Sequence, residues 1–359
     1  MREVPGLAGF LLAALLSNLG SWMQLFTEQW VVLGLAGAEA ARWGGRLGFA
    51  SGFAILLFTP FGGSLADRFD RRKALALAQG WLMLLAVALG VLALRPGGLT
   101  LPILMGFAIA SGIGAAFSLP MAQGVLGDLV PPEHIPMALG LWSVQFNLSR
   151  ILGPTLAAFL FPLVGAAGNF LLNGLSFLVF ILVVWRLRVA PVSRPAGPPA
   201  TYREGLGVYF GNPVLGRVFI LSVIAGLFAW PYFALLPVYG TRYLALGERG
   251  VAFLLAAFGT GAVAGGLWAS RRGGEEGTQP LLLPFVVFGL GLVSLGAFPR
   301  FVWACISLAV MGIAQAHFLN AMGSLVQWHA PPHLRGRANA IYLTAILGLL
   351  PLGNLASGE

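Results

Sequence analysis

The sequence predicts an all-α membrane protein built from two helical bundles. Of its 359 residues, 58% are hydrophobic and only 9% are charged, and the mean hydropathy is +0.86. A soluble domain carries about a quarter charged residues, so this chain has too few charges to cover a water-exposed surface. Long apolar runs separated by short charged loops recur along the whole chain. The bilayer is therefore the main solvent that these residues are suited to.

Eleven apolar runs are long enough to span a membrane. Each holds about 20 mostly apolar residues, which is the length that a helix needs to cross the hydrocarbon core. We predict spans at residues 7–36, 46–66, 73–94, 100–127, 136–161, 167–187, 214–240, 250–270, 280–298, 301–328 and 336–357. The first run is too long for the apolar part of a signal peptide and lacks a cleavage site of small residues. It is predicted to remain as a membrane helix.

The distribution of Lys and Arg predicts the orientation. With the N-terminus in the cytoplasm, fourteen of these cations lie on the cytoplasmic side and six on the opposite side, and Arg150 lies inside a span. Cytoplasmic loops carry the excess of Lys and Arg, so a cytoplasmic N-terminus is favoured. The net charge of +9 is explained by these loops, and no nucleic-acid partner is predicted.

The chain divides into two halves around a proline-rich segment. We predict an N-terminal bundle of six spans at residues 1–187, a cytoplasmic linker at 188–213 and a C-terminal bundle of five spans at 214–359. An internal repeat at an offset of 200 residues supports the division, and it pairs Gly112 with Gly312 and Gly153 with Gly353. The repeat leads us to expect a twelfth span, so the C-terminal bundle is expected to be truncated.

The loop between the second and third spans has the densest charge in the chain. It places six charged residues within the seven positions 67–73, and with Gly63 it reads Gly-x-x-x-Asp-Arg-x-x-Arg-Arg. This motif resembles the signature of the major facilitator superfamily. Four other segments are similar to the enterobactin-exporter branch of that superfamily, the transmembrane secretion effectors: Ser17 to Gln24, Leu129 to Pro132, Asn147 to Pro154 and Arg335 to Arg337. The resemblance implies a major facilitator fold with eleven of twelve spans present.

The same resemblance implies a gating role for the charged loop. It assigns the loop to a latch that holds the cytoplasmic side closed, with the carboxylate of Asp67 near a helix N-terminus, where it is favourable. The gating residues are Gly63, Asp67, Arg68, Arg71 and Arg72. Asp70 stands where the superfamily has Gly. The alternative is an ordinary cationic anchor at the cytoplasmic surface.

The fifth span contains small residues at the spacing of an antiporter motif. Gly140, Gly153 and Pro154 match the pattern, while Ser and Ala replace other glycines of the family. The resemblance favours antiport. The alternative is packing alone, because small residues also let membrane helices approach closely.

Polar residues inside the spans are the candidates for a substrate and coupling cavity. Ionisable groups in a bilayer are costly, so each is a hypothesis of function. Arg150 lies near mid-bilayer and needs a partner, for which Glu28 or a neighbouring amide or carbonyl is available. Glu28 either carries a proton or lies at the interface, and His317 either titrates or remains neutral. The cavity residues are Gln24, Glu28, Asn147, Arg150, His317 and Asn320.

These residues predict a secondary transporter and not an enzyme. We expect export of an amphipathic small molecule, such as a drug-like compound or a siderophore, driven by a gradient of protons or another cation through alternating access. The predicted protein is a monomer in the bacterial cytoplasmic membrane, surrounded by lipid, without a cofactor or a metal. His329 and His333 are separated by two prolines, which argues against a shared metal site. The alternative function is a membrane sensor or assembly protein that does not transport.

Overall fold

The computed structural model describes residues 6–68, 70–131, 134–187, 202–271, 281–331 and 334–358. Within these ranges the chain is helical between short turns and contains no strand. The chain forms two compact units, Met1–Arg194 (unit 1) and Pro195–Glu359 (unit 2). The division falls inside the predicted linker of residues 188–213. The all-α fold with two bundles is confirmed.

Unit 1 contains five helices and one short 3-10 turn among the described residues. They are α1 (Leu7–Ala36), the turn Gly37–Glu39, α2 (Ala40–Arg68), α3 (Arg71–Ala93), α4 (Leu101–Leu129) and α5 (Ile135–Arg186). A straight helix of 52 residues, the length of α5, would extend over about 78 Å, more than twice the hydrocarbon core. Gly165 bends α5 by adopting φ 65° and ψ −173°, which a residue with a side chain rarely adopts. The two arms of α5 coincide with the predicted spans 136–161 and 167–187.

Unit 2 contains seven helices among the described residues. They are α6 (Tyr202–Gly211), α7 (Pro213–Ile224), α8 (Tyr232–Arg242), α9 (Glu248–Arg271), α10 (Leu282–Ala297), α11 (Phe301–His329) and α12 (Arg335–Gly358). The helix α6 lies within the predicted linker, so the second half of that linker is not extended. Its Tyr209 is buried, and the hydroxyl of Tyr209 donates a hydrogen bond to the backbone carbonyl of Ala338 on α12. This hydrogen bond holds α6 against α12 within unit 2.

The predicted span 214–240 is broken in its middle. A π-helical segment, Ala225–Ala229, follows α7, and the amide of Trp230 donates to the carbonyl of Ala225 at 3.1 Å. Pro231 comes next and has no amide hydrogen to continue the helical pattern. Breaks of this kind are common where a membrane helix contains proline or a π bulge. The span is therefore two short helices, α7 and α8, joined by a wider turn.

The two units repeat the same close helix contacts. The helices α4 and α11 are both 29 residues long and begin 200 positions apart. A Cβ atom at Gly112 would collide with the carbonyl oxygen of Ser51, and one at Gly312 would collide with the carbonyl oxygen of Phe258. Gly153 and Gly353 are a second such pair, since a Cβ there would lie 2.8 Å from the carbonyl oxygen of Leu19 and 2.5 Å from that of Leu227. The internal repeat of the sequence thus corresponds to a repeated packing pattern.

Several helical segments are long and apolar enough to cross a membrane. The described residues contain seven of them, of which Leu7–Thr59 and Met137–Arg186 each overlap two predicted spans. Two shorter apolar helices, Leu282–Ala297 and Thr344–Gly358, follow in unit 2. The chain is therefore a multi-pass membrane protein, and the count of eleven spans stays a prediction.

We predict that Gly112→Ala lowers the stability of unit 1 by about 1–3 kcal/mol, the usual cost of overpacking. The added methyl group would collide with the backbone of Ser51 and force α2 away from α4. Gly106→Ala on the same helix is the matched control, because a Cβ there meets no atom within 4 Å. Thermal unfolding of the purified proteins in detergent measures both. Equal unfolding temperatures for the two variants would contradict the close approach of these helices.

Candidate functional site

Helix α1 carries a buried polar surface through the interior of unit 1. Five of its polar side chains are at most 8% exposed: Ser17, Gln24, Thr27, Glu28 and Gln29. Burying a polar group without a hydrogen bond is costly, and in a membrane helix such groups mark functional candidates. The contacts of these side chains therefore define the candidate site.

Gln24 joins Glu28 to the second arm of α5. The side-chain amide of Gln24 donates from Nε2 to Oε1 of Glu28 at 2.8 Å. Asn173, on α5, donates from Nδ2 to Oε1 of Gln24 at 2.7 Å. Gln24 and Glu28 are one helical turn apart, which places both on the same face of α1. The structure thus brings together two of the predicted cavity residues, Gln24 and Glu28, with a third residue, Asn173, that the sequence did not single out.

Glu28 is a buried carboxyl group whose hydrogen-bond partner is neutral. It is 5% exposed, and within the described part of the chain it forms no ion pair. A buried carboxylate needs a cation, several donors or a proton to be stable in a bilayer. Glu28 is therefore a candidate for a group that exchanges a proton.

Arg150 lies at a different depth from Glu28. The hydroxyl of Ser149, its neighbour, is 3.3 Å from the carbonyl oxygen of Leu15, and Gly153 packs on Leu19. Arg150 thus stands beside the stretch of α1 from Leu15 to Leu19. Glu28 is nine residues beyond Leu19, or about 14 Å along the helix. The structure does not pair the two residues, and Arg150 is half-buried on α5.

A second polar contact joins α1 to both arms of α5. Asn169 is fully buried and donates from Nδ2 to the hydroxyl of Thr27 at 3.0 Å and to the carbonyl of Ala157 at 3.1 Å. Thr27 in turn donates to the carbonyl of Met23 at 2.8 Å. Asn169 therefore connects the two arms of α5 across the bend at Gly165 and holds them against α1.

A third contact, nearer the start of α1, joins three helices. Gln79 of α3 accepts from the hydroxyl of Ser17 at 3.3 Å and donates to the hydroxyl of Ser118 on α4 at 2.7 Å. Asn18 donates to Oε1 of Gln145 on α5 at 3.1 Å. Together these amides link α1 to α3, α4 and α5.

The charged loop begins α3 with a well-formed helix cap. Asp70 has an extended backbone, and its Oδ1 accepts from the amides of Arg72 at 3.0 Å and Lys73 at 3.3 Å. Asp is among the best N-cap residues. The residue that departs from the superfamily pattern therefore starts the third helix.

Two of the predicted gating residues make contacts inside unit 1. Arg71 donates from Nη1 to Oδ1 of Asp128 on α4 at 2.9 Å, and the two side chains are 24% and 19% exposed. Arg72 donates from Nη1 to the carbonyl of Leu187, at the end of α5, at 2.6 Å. The start of α3 is thus fastened to the ends of α4 and α5. Gly63, Asp67 and Arg68 belong to the last turns of α2, and their side chains lie outside the described residues.

The three antiporter-like residues, Gly140, Gly153 and Pro154, differ in burial. Gly153 and Pro154 are buried, and a Cβ at Gly153 would lie 2.5 Å from Cβ of Trp22, so this glycine lets α5 approach α1. Gly140 is exposed, and a Cβ there would meet no atom within 4 Å. Close packing accounts for Gly153 but not for Gly140.

The remaining cavity candidates belong to separate parts of the chain. The side chain of Asn147 lies outside the described residues. His317 and Asn320 belong to α11 in unit 2, where the ring of His317 is 5.4 Å from the ring of Trp268 and Asn320 is exposed.

We predict that Arg71 and Asp128 are energetically coupled. A double-mutant cycle with Arg71→Met and Asp128→Asn should give a coupling of about 1 kcal/mol, because both groups are mostly removed from water. The control is the pair Arg42 and Glu39, which is 3.7 Å apart with side chains 42% and 59% exposed, and its coupling should be close to zero. Unfolding temperatures of the single and double variants measure both cycles. A larger coupling in the control pair would show that burial does not strengthen the first pair.

The comparison with known proteins identifies the family. The family model described as "Transmembrane secretion effector" matches residues 7–359. The chain is 23% identical to a staphyloferrin A transporter of Staphylococcus aureus over 96% of this chain and 87% of that protein. It is 25% identical to the multidrug efflux pump Tap of Mycolicibacterium fortuitum, with 96% and 88% covered. An enterobactin exporter EntS of Escherichia coli is 24% identical, with 81% and 70% covered.

The fold agrees with solved transporter structures. A bacterial homologue of the human lysosomal transporter Spinster matches with a TM-score of 0.77 and 17% identity, over 98% of this chain and 80% of that one. The predicted fold and the prediction that the protein is not an enzyme are both confirmed. The chain belongs to the transmembrane secretion effector family of the major facilitator superfamily, and it is a transporter.

Proposed function

We propose that this protein is a proton-coupled exporter of an amphipathic small molecule. The observation that carries the proposal is a buried carboxyl group, Glu28, on the first helix of a transporter-family chain. The substrate is a drug-like compound or a siderophore. Relatives named as a multidrug efflux pump, a macrolide efflux protein and a staphyloferrin A transporter support this substrate class. Movement of the substrate follows from alternating access, the mechanism of secondary transporters with repeated bundles.

Glu28 is the proposed proton carrier. Its partner in the described structure is the neutral amide of Gln24, so a change in its charge does not break an ion pair. When Glu28 loses its proton, a negative charge forms in a low-dielectric interior, and hydration of the site lowers that cost. Opening of the site to one side and then the other would let Glu28 take up a proton on one side and release it on the other.

The remaining cavity candidates are proposed to bind the substrate. Arg150, Asn147, His317 and Asn320 offer a cation, two amides and an imidazole. Such a mixture suits an amphipathic molecule with a few polar groups. The half-buried position of Arg150 at a depth different from that of Glu28 supports separate roles, with Arg150 meeting the substrate and Glu28 the proton.

Two sets of residues in the charged loop are proposed to have different roles, one in holding the loop in place and one in gating. Arg71 and Arg72 hold the loop to the ends of α4 and α5, as their contacts indicate. Asp67 is proposed as the gating carboxylate, together with Gly63 and Arg68 in the last turns of α2.

The orientation proposed for the protein puts this loop and the N-terminus in the cytoplasm. The protein would act as a monomer in the bacterial cytoplasmic membrane. A non-transporting sensor, the alternative considered above, is not favoured by membership of a transporter family.

We predict that everted membrane vesicles containing the protein accumulate erythromycin or ethidium when a proton gradient is imposed. Collapsing the gradient with a protonophore should abolish accumulation. Glu28→Gln should still bind the probe but should lose the pH dependence of transport, because the amide cannot exchange a proton.

The control for this experiment is Glu39→Gln, which removes an exposed carboxylate in the turn after α1. This variant should transport as the wild-type protein does. Unchanged pH dependence in Glu28→Gln would eliminate Glu28 as the coupling group. Accumulation that is insensitive to the protonophore would refute proton coupling.

We predict that Asp67→Asn reduces transport at normal abundance in the membrane, since the gate loses its carboxylate. Asp70→Asn is the matched control, because it removes the same charge from the same loop while Asn still caps α3. It should transport normally. A similar loss in both variants would point to loop charge in general, and normal transport by Asp67→Asn would leave the loop as a cationic anchor.

A further inference from the structure

We infer that Gly20 and Asn173 are positioning residues that set the proton affinity of Glu28. They act through a hydrogen-bonded chain of four side chains, the amide relay, formed by Ser176, Asn173, Gln24 and Glu28. The inference deepens the proposed function and rests on it for the role of Glu28 in transport. The existence of the relay is argued only from the contacts within unit 1.

The relay has a defined direction. The hydroxyl of Ser176 donates to the backbone carbonyl of Asn173 at 2.7 Å and also lies 3.1 Å from Oδ1 of Asn173. This side-chain oxygen therefore faces Ser176, and the amide nitrogen of Asn173 faces Gln24. Asn173 donates to Oε1 of Gln24, and the other end of the Gln24 amide therefore presents its N–H to Glu28. Each member holds the next in one orientation. The end of the relay is a hydrogen-bond donor aimed at the carboxyl group.

Gly20 provides the space that the relay needs. A Cβ at this position would collide with Oδ1 of Asn173 and lie 2.5 Å from Oγ of Ser176. It would also lie 3.1 Å from Cα of Asn173, so the second arm of α5 has little room to move aside. A single methyl group at Gly20 would therefore displace Asn173.

No charged group competes with the relay among the described contacts of Glu28. The elements packed against α1 carry the following charged residues: Glu39 in the turn after α1, Arg42, Arg46, Asp67 and Arg68 on α2, Asp128 on α4, and Arg150 and Arg186 on α5. The side chains of Asp67 and Arg68 lie outside the described residues. None of these charged residues forms an ion pair with Glu28 in the described part of the chain. The donor from Gln24 is thus the specific interaction that distinguishes the charged from the neutral form of Glu28.

The relay favours the carboxylate over the carboxylic acid. A donor that points at a carboxylate stabilises the charged form, and bonds to charged groups are the stronger class. Loss of the donor leaves the neutral form relatively favoured, so the proton should be held up to a higher pH. The expected displacement is about one pH unit, which corresponds to a tenfold change in proton affinity.

Infrared difference spectroscopy on the full chain in lipid vesicles tests this inference without a substrate. The carbonyl stretch of the protonated carboxyl group is followed as the pH is changed, and Glu28→Gln identifies the band of Glu28. Gly20→Ala and Asn173→Ala should each move the midpoint of this band to higher pH by about one unit. Gly34→Ala is the matched control on the same helix, since a Cβ there meets no atom within 4 Å, and it should leave the midpoint unchanged.

The outcomes separate the relay from the proposed function. Wild-type midpoints in both Gly20→Ala and Asn173→Ala would overturn the relay, as would an equal displacement in Gly34→Ala. Should Gly20→Ala fail to fold, Asn173→Ala decides alone. If Glu28→Gln leaves the pH dependence of transport unchanged while the midpoint still moves in the relay variants, the relay stands and the coupling role of Glu28 falls.

Discussion

The organisation of unit 1 depends on the close contact of α1 with both arms of α5. Glycine makes this contact possible on each side, at Gly153 against the first half of α1 and at Gly20 against the second arm. Apolar surface alone does not hold membrane helices together, because lipid tails are equally apolar; close packing and hydrogen bonds do. The amides of Asn169 and Asn173 reach α1 only because the helices lie so near. The same approach therefore provides both packing and the candidate site.

Much of the fold could be predicted from the sequence because span length is a strong physical constraint. The bilayer sets the length of each apolar run, and the bend at Gly165 separates two runs that the sequence already divides. The π segment before Pro231 was not predicted, since the sequence contains a proline but not the pattern of bonds around it. Glycines repeated at an offset of 200 predicted the duplication, and both pairs proved to lie at helix contacts.

The candidate site was less predictable than the fold. Glu28 and Arg150 were found because charged residues are rare in spans, but their relative depths depend on the register of one helix on another, which the sequence does not contain. Contacts such as that of Ser149 with Leu15 establish the register of α5 on α1 and show that Glu28 and Arg150 lie at different depths. Asn169, Asn173 and Gln79 were missed because neutral amides in a span are ambiguous until their partners are known. Counting Asn and Gln within the predicted spans would have marked them as candidates.

A neutral relay suits a proton-exchanging carboxyl group better than a buried cation would. With an arginine beside it, Glu28 would hold its charge, and breaking such a buried pair costs about 3–5 kcal/mol. A hydrogen bond from a neutral donor to a charged group is worth about 1.5–3 kcal/mol, so an amide partner can be gained or lost at a smaller cost than a buried cation. The donor from Gln24 still favours the charged form enough to influence when the proton leaves. In the proposed mechanism Arg150 lies at another depth, so its cation does not fix Glu28 in one state, and the amides adjust the proton affinity without preventing the exchange.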